Sequence, residues 1–364
     1  MGESVSDERS RAVPLEDNVI PIYKSLQCFR KNCSTWGITA LLALLPWNLN
    51  AETNIFASKS TPAIQINHMA AVVFSITGAI FVVVAALLVF VIVRYRSRGE
   101  DETEPPQVYG SNQVELAWTV IPVLIVLVLF LATTRVIFAI QDAVKPKTAV
   151  DVTVVGHQFW WEFRYPQLGI TTANELHIPL SSADHPTPTF LKLMSADVDH
   201  SFWVPELGGK TDLIPNRVNE MWVEPLKPGL YLGQCAQFCG VEHAKMLLRV
   251  YVDTPEQFAS WVQNQRQPGR QDDSVTEGKM IFETQACMNC HAISGTAATG
   301  RFGPDLTHLM SRSTIASGIA ANNADNLRDW IKNPDHLKKG SLMPAMQLND
   351  DQIDAVVAYL STLQ

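Results

Sequence analysis

Apolar residues form three long stretches in the N-terminal part of the chain. The shortest occupies residues 36–49 and follows Arg30 and Lys31. A helix needs about 20 residues to cross the hydrocarbon core, so this stretch is too short to span it. A basic flank, a short apolar segment and then small polar residues are typical of a secretory signal cleaved after Ala51; a buried or interfacial helix is the alternative. We therefore predict that residues 1–51 are a signal peptide with a long n-region.

The other two apolar stretches, residues 69–93 and 116–140, are long enough to cross a bilayer as helices. The first is followed directly by Arg94, Arg96 and Arg98. Positive charge of this kind favours the cytoplasmic side, so the connection between the two helices is expected there. The sequence thus predicts a transmembrane hairpin over residues 66–141. It crosses the bacterial inner (plasma) membrane twice, and everything after it lies on the periplasmic or outer side.

From about Ala149 onward, apolar and polar residues alternate, which is typical of β-strands. Candidate strands, separated by Pro and Gly turns, lie at residues 150–154, 190–194, 218–223, 230–232 and 246–252. Short strands at this spacing predict an antiparallel β-sandwich or barrel. This domain is expected to cover residues 142–262 and to end in a short helix at 255–261.

A polar stretch at residues 263–274, rich in Gln, Arg and Asp, predicts a linker. Beyond it, helical patterns at 275–284, 326–332 and 350–363 predict an all-α domain over residues 275–364. The chain is therefore a multi-domain membrane protein. Its net charge of −8 argues against a nucleic-acid partner, because phosphate binding needs a basic face.

The six cysteines occur as three close pairs: Cys28/Cys33, Cys235/Cys239 and Cys287/Cys290. Metal ligands, haem attachment points and disulfides all use such pairs. The first pair lies in the predicted signal peptide and receives no role.

The second pair belongs to the densest group of potential ligands in the chain. Cys235, Cys239, His243 and Met246 offer two thiolates, an imidazole and a thioether, which are the soft ligands that copper favours. Two sulfurs between two metal ions leave each ion in need of its own imidazole, and His200 is the leading candidate for the second one. A disulfide and a zinc site are the alternatives, although methionine is an unusual zinc ligand. The pattern predicts a dinuclear copper site.

The third pair, Cys287 and Cys290, is followed directly by His291, the attachment pattern of a c-type haem. A redox-active disulfide is the alternative for a bare cysteine pair. The sixth iron ligand is expected to be a methionine, since this raises the reduction potential. Met343 and Met346 are the two candidates.

The copper pattern resembles that of subunit II of haem-copper cytochrome c oxidases, a likeness that covers roughly residues 66–262. It implies a cupredoxin-like domain with a dinuclear CuA centre. The implied ligands are His200, Cys235, Cys239, His243, Met246 and the backbone carbonyl of Gln237. Many members have Glu where Gln237 stands and use its carboxylate for a magnesium ion at the junction with subunit I, and Gln237 has no carboxylate to offer.

Two further segments carry the same resemblance. Residues 113–122 resemble the start of the second membrane helix, which implies that Glu115 guards the entrance of a proton channel into subunit I; a carboxylate at the membrane surface is the alternative. Residues 156–161 resemble the aromatic segment through which the family accepts electrons. The family's Trp is replaced by Phe159 here, so Trp160 is the candidate, with core packing as the alternative.

The C-terminal domain resembles small bacterial cytochromes c. This likeness favours Met343, which precedes a proline, as the iron ligand. It also implies that the carbonyl of Pro304 orients His291, and that Gly278 and Phe282 pack against Tyr359 where the terminal helices cross.

The combined resemblance implies the electron-input subunit of a respiratory cytochrome c oxidase. Electrons would pass from an external donor, such as a cytochrome or a neighbouring respiratory complex, through the chain's own haem to CuA and on to subunit I. Oxygen would be reduced there, coupled to proton translocation. The expected partners are subunit I, other oxidase subunits and the lipid bilayer. Two alternatives are the CuA subunit of a nitric oxide reductase and a membrane-tethered electron carrier without an oxidase partner.

Overall fold

The computed structural model describes residues 53–96, 107, 109–270 and 272–364. The predicted signal peptide, Cys28, Cys33 and Arg98 lie outside the described residues.

Two long helices form the hairpin: α1 (Thr61–Arg94) and α2 (Asn112–Gln141). The side chain of Ser60 caps α1 by accepting a hydrogen bond from the amide of Ala63 at 3.3 Å. In the described part of the chain, these are the two helices long and apolar enough to cross a membrane, and the most apolar stretch of each is fully exposed. Each therefore presents an apolar surface suited to lipid or to other membrane helices.

The hairpin is joined to the domain that follows by hydrogen bonds at its outer end. The indole of Trp222 donates to the carbonyl of Ile140 at 2.6 Å, and Thr61 donates to the carboxylate of Glu224 at 2.5 Å. Because α1 begins here and α2 ends here, Arg94 at the end of α1 and Asn112 at the start of α2 lie at the opposite end of the hairpin.

The second domain contains ten strands: β1 (Val150–His157), β2 (Trp160–Tyr165), β3 (Ile170–Ala173), β4 (Glu175–Pro179), β5 (Thr189–Ser195), β6 (His200–Trp203), β7 (Thr211–Leu213), β8 (Asn219–Val223), β9 (Gly229–Cys235) and β10 (Leu247–Asp253). They form two five-stranded sheets, in the orders β3-β2-β1-β5-β8 and β4-β10-β9-β6-β7. Most pairings are antiparallel, as predicted, while β1 pairs with β5 and β4 with β10 in parallel. The core between the sheets includes the fully buried Trp161, Phe163, Tyr165 and Phe202.

Helix α3 (Pro255–Gln265) closes this domain and extends into the predicted linker. It starts with a capping box between Thr254 and Gln257. The segment after α3 packs on the last domain, since the amide of Gly269 donates to the carbonyl of Ser294 and the ring of His308 contacts the carbonyl of Gln267.

The last domain is mainly helical, as predicted. Its elements are α4 (Thr276–Thr284), α5 (Cys287–Cys290), α6 (Ala324–Lys332), α7 (Pro334–Leu337), α8 (Asp350–Leu360) and a small sheet of β11 (Thr314–Ile315) and β12 (Ala320–Ala321). Helices α4 and α8 cross at Gly278, where a Cβ atom would lie only 1.9 Å from the carbonyl oxygen of Ala355. The rings of Phe282 and Tyr359 meet at the same crossing, with centroids 5.9 Å apart.

Candidate copper and haem sites

The proposed copper ligands lie where strands β6, β9 and β10 meet. His200 begins β6, Cys235 ends β9, and Met246 precedes β10. The amide of Cys235 donates to the carbonyl of Met246 at 3.0 Å, so the ladder between β9 and β10 closes the loop between these two residues. This loop carries Cys239 and a short helical turn that starts at His243. His200 is far in sequence from the loop between Cys235 and Met246, and the three strands hold both at the same end of the sheet.

The donor atoms of this cluster lie close together. The Sγ atoms of the free thiols Cys235 and Cys239 are 3.9 Å apart. His200 Nδ1 lies 3.9 Å from the sulfur of Cys235, whereas His243 Nδ1 lies 3.8 Å from that of Cys239. Met246 Sδ is 3.9 Å from the sulfur of Cys239. The carbonyl oxygen of Gln237 is 3.1 Å from the sulfur of Cys235, so the structure brings all six predicted copper donors together.

The electrostatics of the cluster suit a cation. The thiols of Cys235 and Cys239 share a hydrogen bond, which lowers the pKa of Cys235 despite its burial. The same hydrogen bond and burial raise the pKa of Cys239. The pair thus carries one negative charge easily and releases its second proton when a metal replaces it. Soft donors of this composition, with His200, Cys235, Cys239 and Met246 buried, fit copper.

Sequence reasoning missed one residue of this site, Asp197. Its carboxylate lies 2.8 Å from Nε2 of His200 and accepts a hydrogen bond from the amide of Gln158 at 2.6 Å. Burial lowers the pKa of His200, but the hydrogen bonds to Asp197 and Cys235 outweigh burial and raise it. A partner of this kind fixes the orientation of a ligand imidazole. Two acidic residues, Asp197 and Asp199, lie close to His200 in the sequence, and no local pattern shows which of them contacts its ring.

The proposed haem residues surround a cavity of about 600 Å³. Cys287, Cys290 and His291 lie on its wall, and so do both candidate methionines, Met343 and Met346. Met343 also packs against the hydrophobic core of the domain. The volume is in the range of sites that bury small organic molecules, and the lining is largely apolar, so the cavity fits a haem.

The surroundings of His291 suit an iron ligand. Its Nδ1 lies 2.8 Å from the carbonyl oxygen of Pro304, a geometry in which Nδ1–H donates and Nε2 keeps its lone pair. Burial lowers the pKa of His291, which favours the neutral form that binds metals. The loop before Pro304 approaches the ring so closely that a Cβ on Gly303 would lie 2.6 Å from Cε1 of His291. Glycine is therefore needed at this position.

The haem cavity extends to the β-sandwich, where Gln158, Phe159 and Trp160 form part of its wall. Phe159 and Trp161 are buried, and the ring of Trp161 packs edge-on against Phe202. Trp160 is only half-buried and stacks on His157, with ring centroids 4.2 Å apart. The three aromatic residues therefore differ: Trp161 belongs to the core alone, Phe159 is buried but also lines the cavity, and Trp160 is a half-buried part of the cavity wall.

Glu115 lies apart from both clusters, in the exposed first turn of α2 at the end of the hairpin remote from the sandwich. Glu115 therefore lies near the predicted cytoplasmic surface. The length of α2, roughly 40 Å at 1.5 Å per residue, separates it from the copper and haem residues.

An apolar hairpin, a cupredoxin-like sandwich with a soft-donor cluster and a helical domain with a haem-type cavity define a membrane-anchored electron-transfer protein. Comparison with protein families agrees: residues 45–136 match the transmembrane domain of cytochrome c oxidase subunit II, residues 171–252 its periplasmic domain and residues 275–364 cytochrome c. The chain belongs to the cytochrome c oxidase subunit 2 family and is a subunit of a haem-copper oxidase, which implies subunit I as a partner and copper and haem as cofactors.

Two sequence relatives support this assignment. Cytochrome c oxidase subunit 2 of Alkalihalophilus pseudofirmus is 34% identical over 296 residues, which cover 79% of this chain and 84% of the relative. The protein of the same name from Bacillus subtilis is 30% identical over 354 residues, covering 90% of this chain and 98% of the relative. A solved periplasmic domain of cytochrome oxidase subunit II from Bradyrhizobium japonicum is 30% identical, covers 33% of this chain and 96% of that one, and gives a TM-score of 0.31.

Proposed function

We propose that this chain accepts electrons from an external donor on its own c-type haem and passes them through a dinuclear CuA centre to subunit I. There they reduce oxygen to water, coupled to proton translocation. The single observation that carries this proposal is the shared wall of the two sites: Gln158 and Phe159 line the haem cavity, and Gln158 Nε2 donates to the carbonyl of Cys239 at 2.6 Å. The two centres are thus separated by one short segment of chain.

In this proposal, Cys287 and Cys290 bind the haem covalently, His291 and Met343 ligate its iron, and Pro304 orients His291. The copper pair is held by His200, Cys235, Cys239, His243, Met246 and the carbonyl of Gln237. When bound, both groups supply one-electron storage. A different imidazole lies beside each sulfur, which suits a site that holds two metal ions and not one. The residues His200, Cys235 and Cys239 are buried, and this shields the inner side of the site from water.

Two further residues complete the proposal. Trp160 borders the haem cavity and is the aromatic side chain through which we propose electrons enter the copper domain. Glu115, at the remote end of the hairpin, is proposed to pass protons toward subunit I. Glu115→Gln is then expected to slow proton uptake while leaving copper and haem contents unchanged, because it lies far from both sites. Unchanged proton uptake would contradict this role.

The test of the overall function uses the full chain purified together with its membrane partners. We expect two coppers per covalently bound haem, and oxygen consumption when a reduced cytochrome is supplied. Cys235→Ser should remove copper and keep the haem, whereas Cys287→Ser should disturb haem attachment and keep copper. Reduction of nitric oxide in place of oxygen would contradict the oxidase assignment. Purification without a haem-containing membrane subunit would indicate a tethered electron carrier.

A further inference from the structure

The cytochrome domain is fastened to the copper domain by a row of hydrogen bonds along β10. The backbone of Leu247 and that of Ser317 are bonded to each other, and the hydroxyl of Ser317 donates to the carbonyl of Leu247 at 2.8 Å. Beside them, the carboxylate of Glu175 accepts hydrogen bonds from Ser313 and Thr314 at 2.7–3.0 Å. A row of this kind fixes the distance between the domains, which a mobile tether would not.

A second contact joins the loops that carry ligands of the two centres. Helix α7 and the residues after it lead to Met343 on the haem side, while Lys245 belongs to the copper loop. Lys245 Nζ donates to the carbonyl of Leu337 at 3.3 Å. The haem-side loop therefore lies directly on the copper-side loop.

Lys338 lies at the centre of this contact and is only 3% exposed. Its Nζ donates to the carbonyl of Phe159 in the copper domain at 2.7 Å and to that of Ala316 in its own domain at 3.4 Å. Phe159 follows Gln158, whose side chain donates to the carbonyl of Cys239. A connection of two hydrogen bonds thus runs from the loop of Met343 to a copper ligand.

The backbone at Gln158 also reaches the other side of the copper cluster. Its amide donates to the carboxylate of Asp197 at 2.6 Å, and Asp197 contacts the ring of His200. The Gln158–Phe159 segment is therefore bonded in three directions: to the haem-side loop, to Cys239 and, through Asp197, to His200.

Burying an ammonium group is an inefficient way to fill space. Burial lowers the pKa of Lys338 to about 7, although the negative charge of Glu242 acts in the opposite direction. An apolar side chain of similar length would avoid this desolvation cost, so stability alone does not explain a lysine here. A lysine can link the two domains, since its ammonium donates hydrogen bonds to two carbonyls that belong to different domains.

We propose that Lys338 is a positioning residue for electron transfer between the two centres, which locks the Met343 loop onto the copper loop through Phe159 and Gln158. This inference rests on the proposed function, because it assumes that both centres are present. The step that Lys338 positions moves one electron from the haem iron, which is oxidised, to the copper pair, which is reduced, and no bond forms or breaks.

The test compares Lys338→Met with Lys339→Met in the full oxidase loaded with haem and copper. Lys339 is the adjacent lysine and is exposed, so its substitution removes the same charge without breaking the bridge. After a soluble photoreductant, triggered by a light flash, has reduced the haem, Lys338→Met is expected to slow electron arrival at copper by at least about tenfold, because small misplacements of reacting groups are costly. Lys339→Met is expected to match the wild type.

Two further readouts separate positioning from a general loss of structure. Hydrogen exchange should rise at residues 158–160 and 337–343 in Lys338→Met and stay unchanged at residues 150–156 of β1 and at β9. The reduction potential of the copper centre should fall, because the lost positive charge stabilised the added electron. If Lys338→Met does not retain haem, Gln158→Leu tests the proposal in its place. This substitution removes the hydrogen bond from Gln158 to the carbonyl of Cys239, and it is expected to slow the transfer as well.

The outcomes distinguish the inference from the function on which it rests. A wild-type protein that holds both centres but shows no transfer between them overturns the proposed function, and the role of Lys338 with it. Normal transfer in the wild type together with a rate within about twofold of it in both Lys338→Met and Gln158→Leu overturns the positioning role alone.

Discussion

The carboxylate of Asp197 lies 2.8 Å from Nε2 of His200, on the ring nitrogen that does not face Cys235. The ring is thereby held from both sides: Nδ1 is directed at the sulfur cluster and Nε2 at an anion. The same carboxylate accepts a hydrogen bond from the amide of Gln158. Because Gln158 lines the haem cavity, the orientation of His200 depends on the wall of that cavity.

This relationship gives the first prediction. Asp197→Asn is expected to lower the copper affinity of the full chain by about 10–100-fold, because a ligand imidazole loses the anion that orients it. Competition with a copper chelator measures the affinity. Asp199→Asn serves as the matched control, since Asp199 is exposed and lies two residues away. Equal losses in both variants would show that net charge, and not the contact with His200, is what matters.

The second prediction separates the two candidate iron ligands. Met343→Leu is expected to lower the reduction potential of the haem and to change its absorption spectrum, because a thioether ligand raises the potential. Met346→Leu removes a thioether from the same cavity and is expected to leave both properties unchanged. A redox titration of the two variants measures the difference. The reverse result would assign the iron to Met346.

The third prediction concerns acid stability. Burial raises the pKa of Glu162, but hydrogen bonds from His157 and Arg164 outweigh it and bring the pKa to about 2. A carboxyl group with a lowered folded-state pKa stabilises the fold above its unfolded-state pKa of about 4.5, and this contribution is lost as the pH falls toward 2. The amount is about 1–3 kcal/mol, reduced by the solvent exposure of Arg164.

Glu162→Gln is therefore expected to be less stable than the wild type at pH 6 and to approach it as the pH falls below about 4. Denaturant unfolding of the sandwich at several pH values gives the free energies of unfolding. Glu220→Gln provides a control on an exposed strand position. A constant difference between Glu162→Gln and wild type across this range would contradict the assignment.

The fourth prediction concerns the contact between the domains. Glu175 is 2% exposed and accepts its hydrogen bonds from residues of the cytochrome domain. Glu175→Ala leaves these donors without their charged partner, at a cost of about 1.5–3 kcal/mol. We expect faster hydrogen exchange at residues 313–318 and separate thermal transitions for the two domains. Glu220→Ala should change neither, and a single unchanged transition in Glu175→Ala would show that other contacts suffice.

Much of the fold could be predicted because it depends on local patterns. The two membrane helices follow from uninterrupted apolar runs, and α8 follows from an apolar stripe after the cap residue Asn349. The predicted set omits the strands β2, β3, β4, β6 and β7. Three of these, β3, β6 and β7, are only three or four residues long, too short for alternation to be recognised. In β2 and β4 most residues are buried, so apolar and polar positions do not alternate cleanly. The parallel pairing of β1 with β5 joins residues far apart in sequence, and no local pattern reports it.

The sequence by itself determined the class of the protein and the chemistry that its residues offer, because close cysteine pairs with nearby histidine and methionine need no tertiary information to be recognised. Only the tertiary structure decided which acid supports His200, which aromatic residues of the 159–161 segment line the haem cavity, and that a polar stretch expected to act as a linker packs on the cytochrome domain. The physical reason is that burial and hydrogen bonding between Lys338 and Phe159, 179 residues apart, depend on how the domains pack against each other.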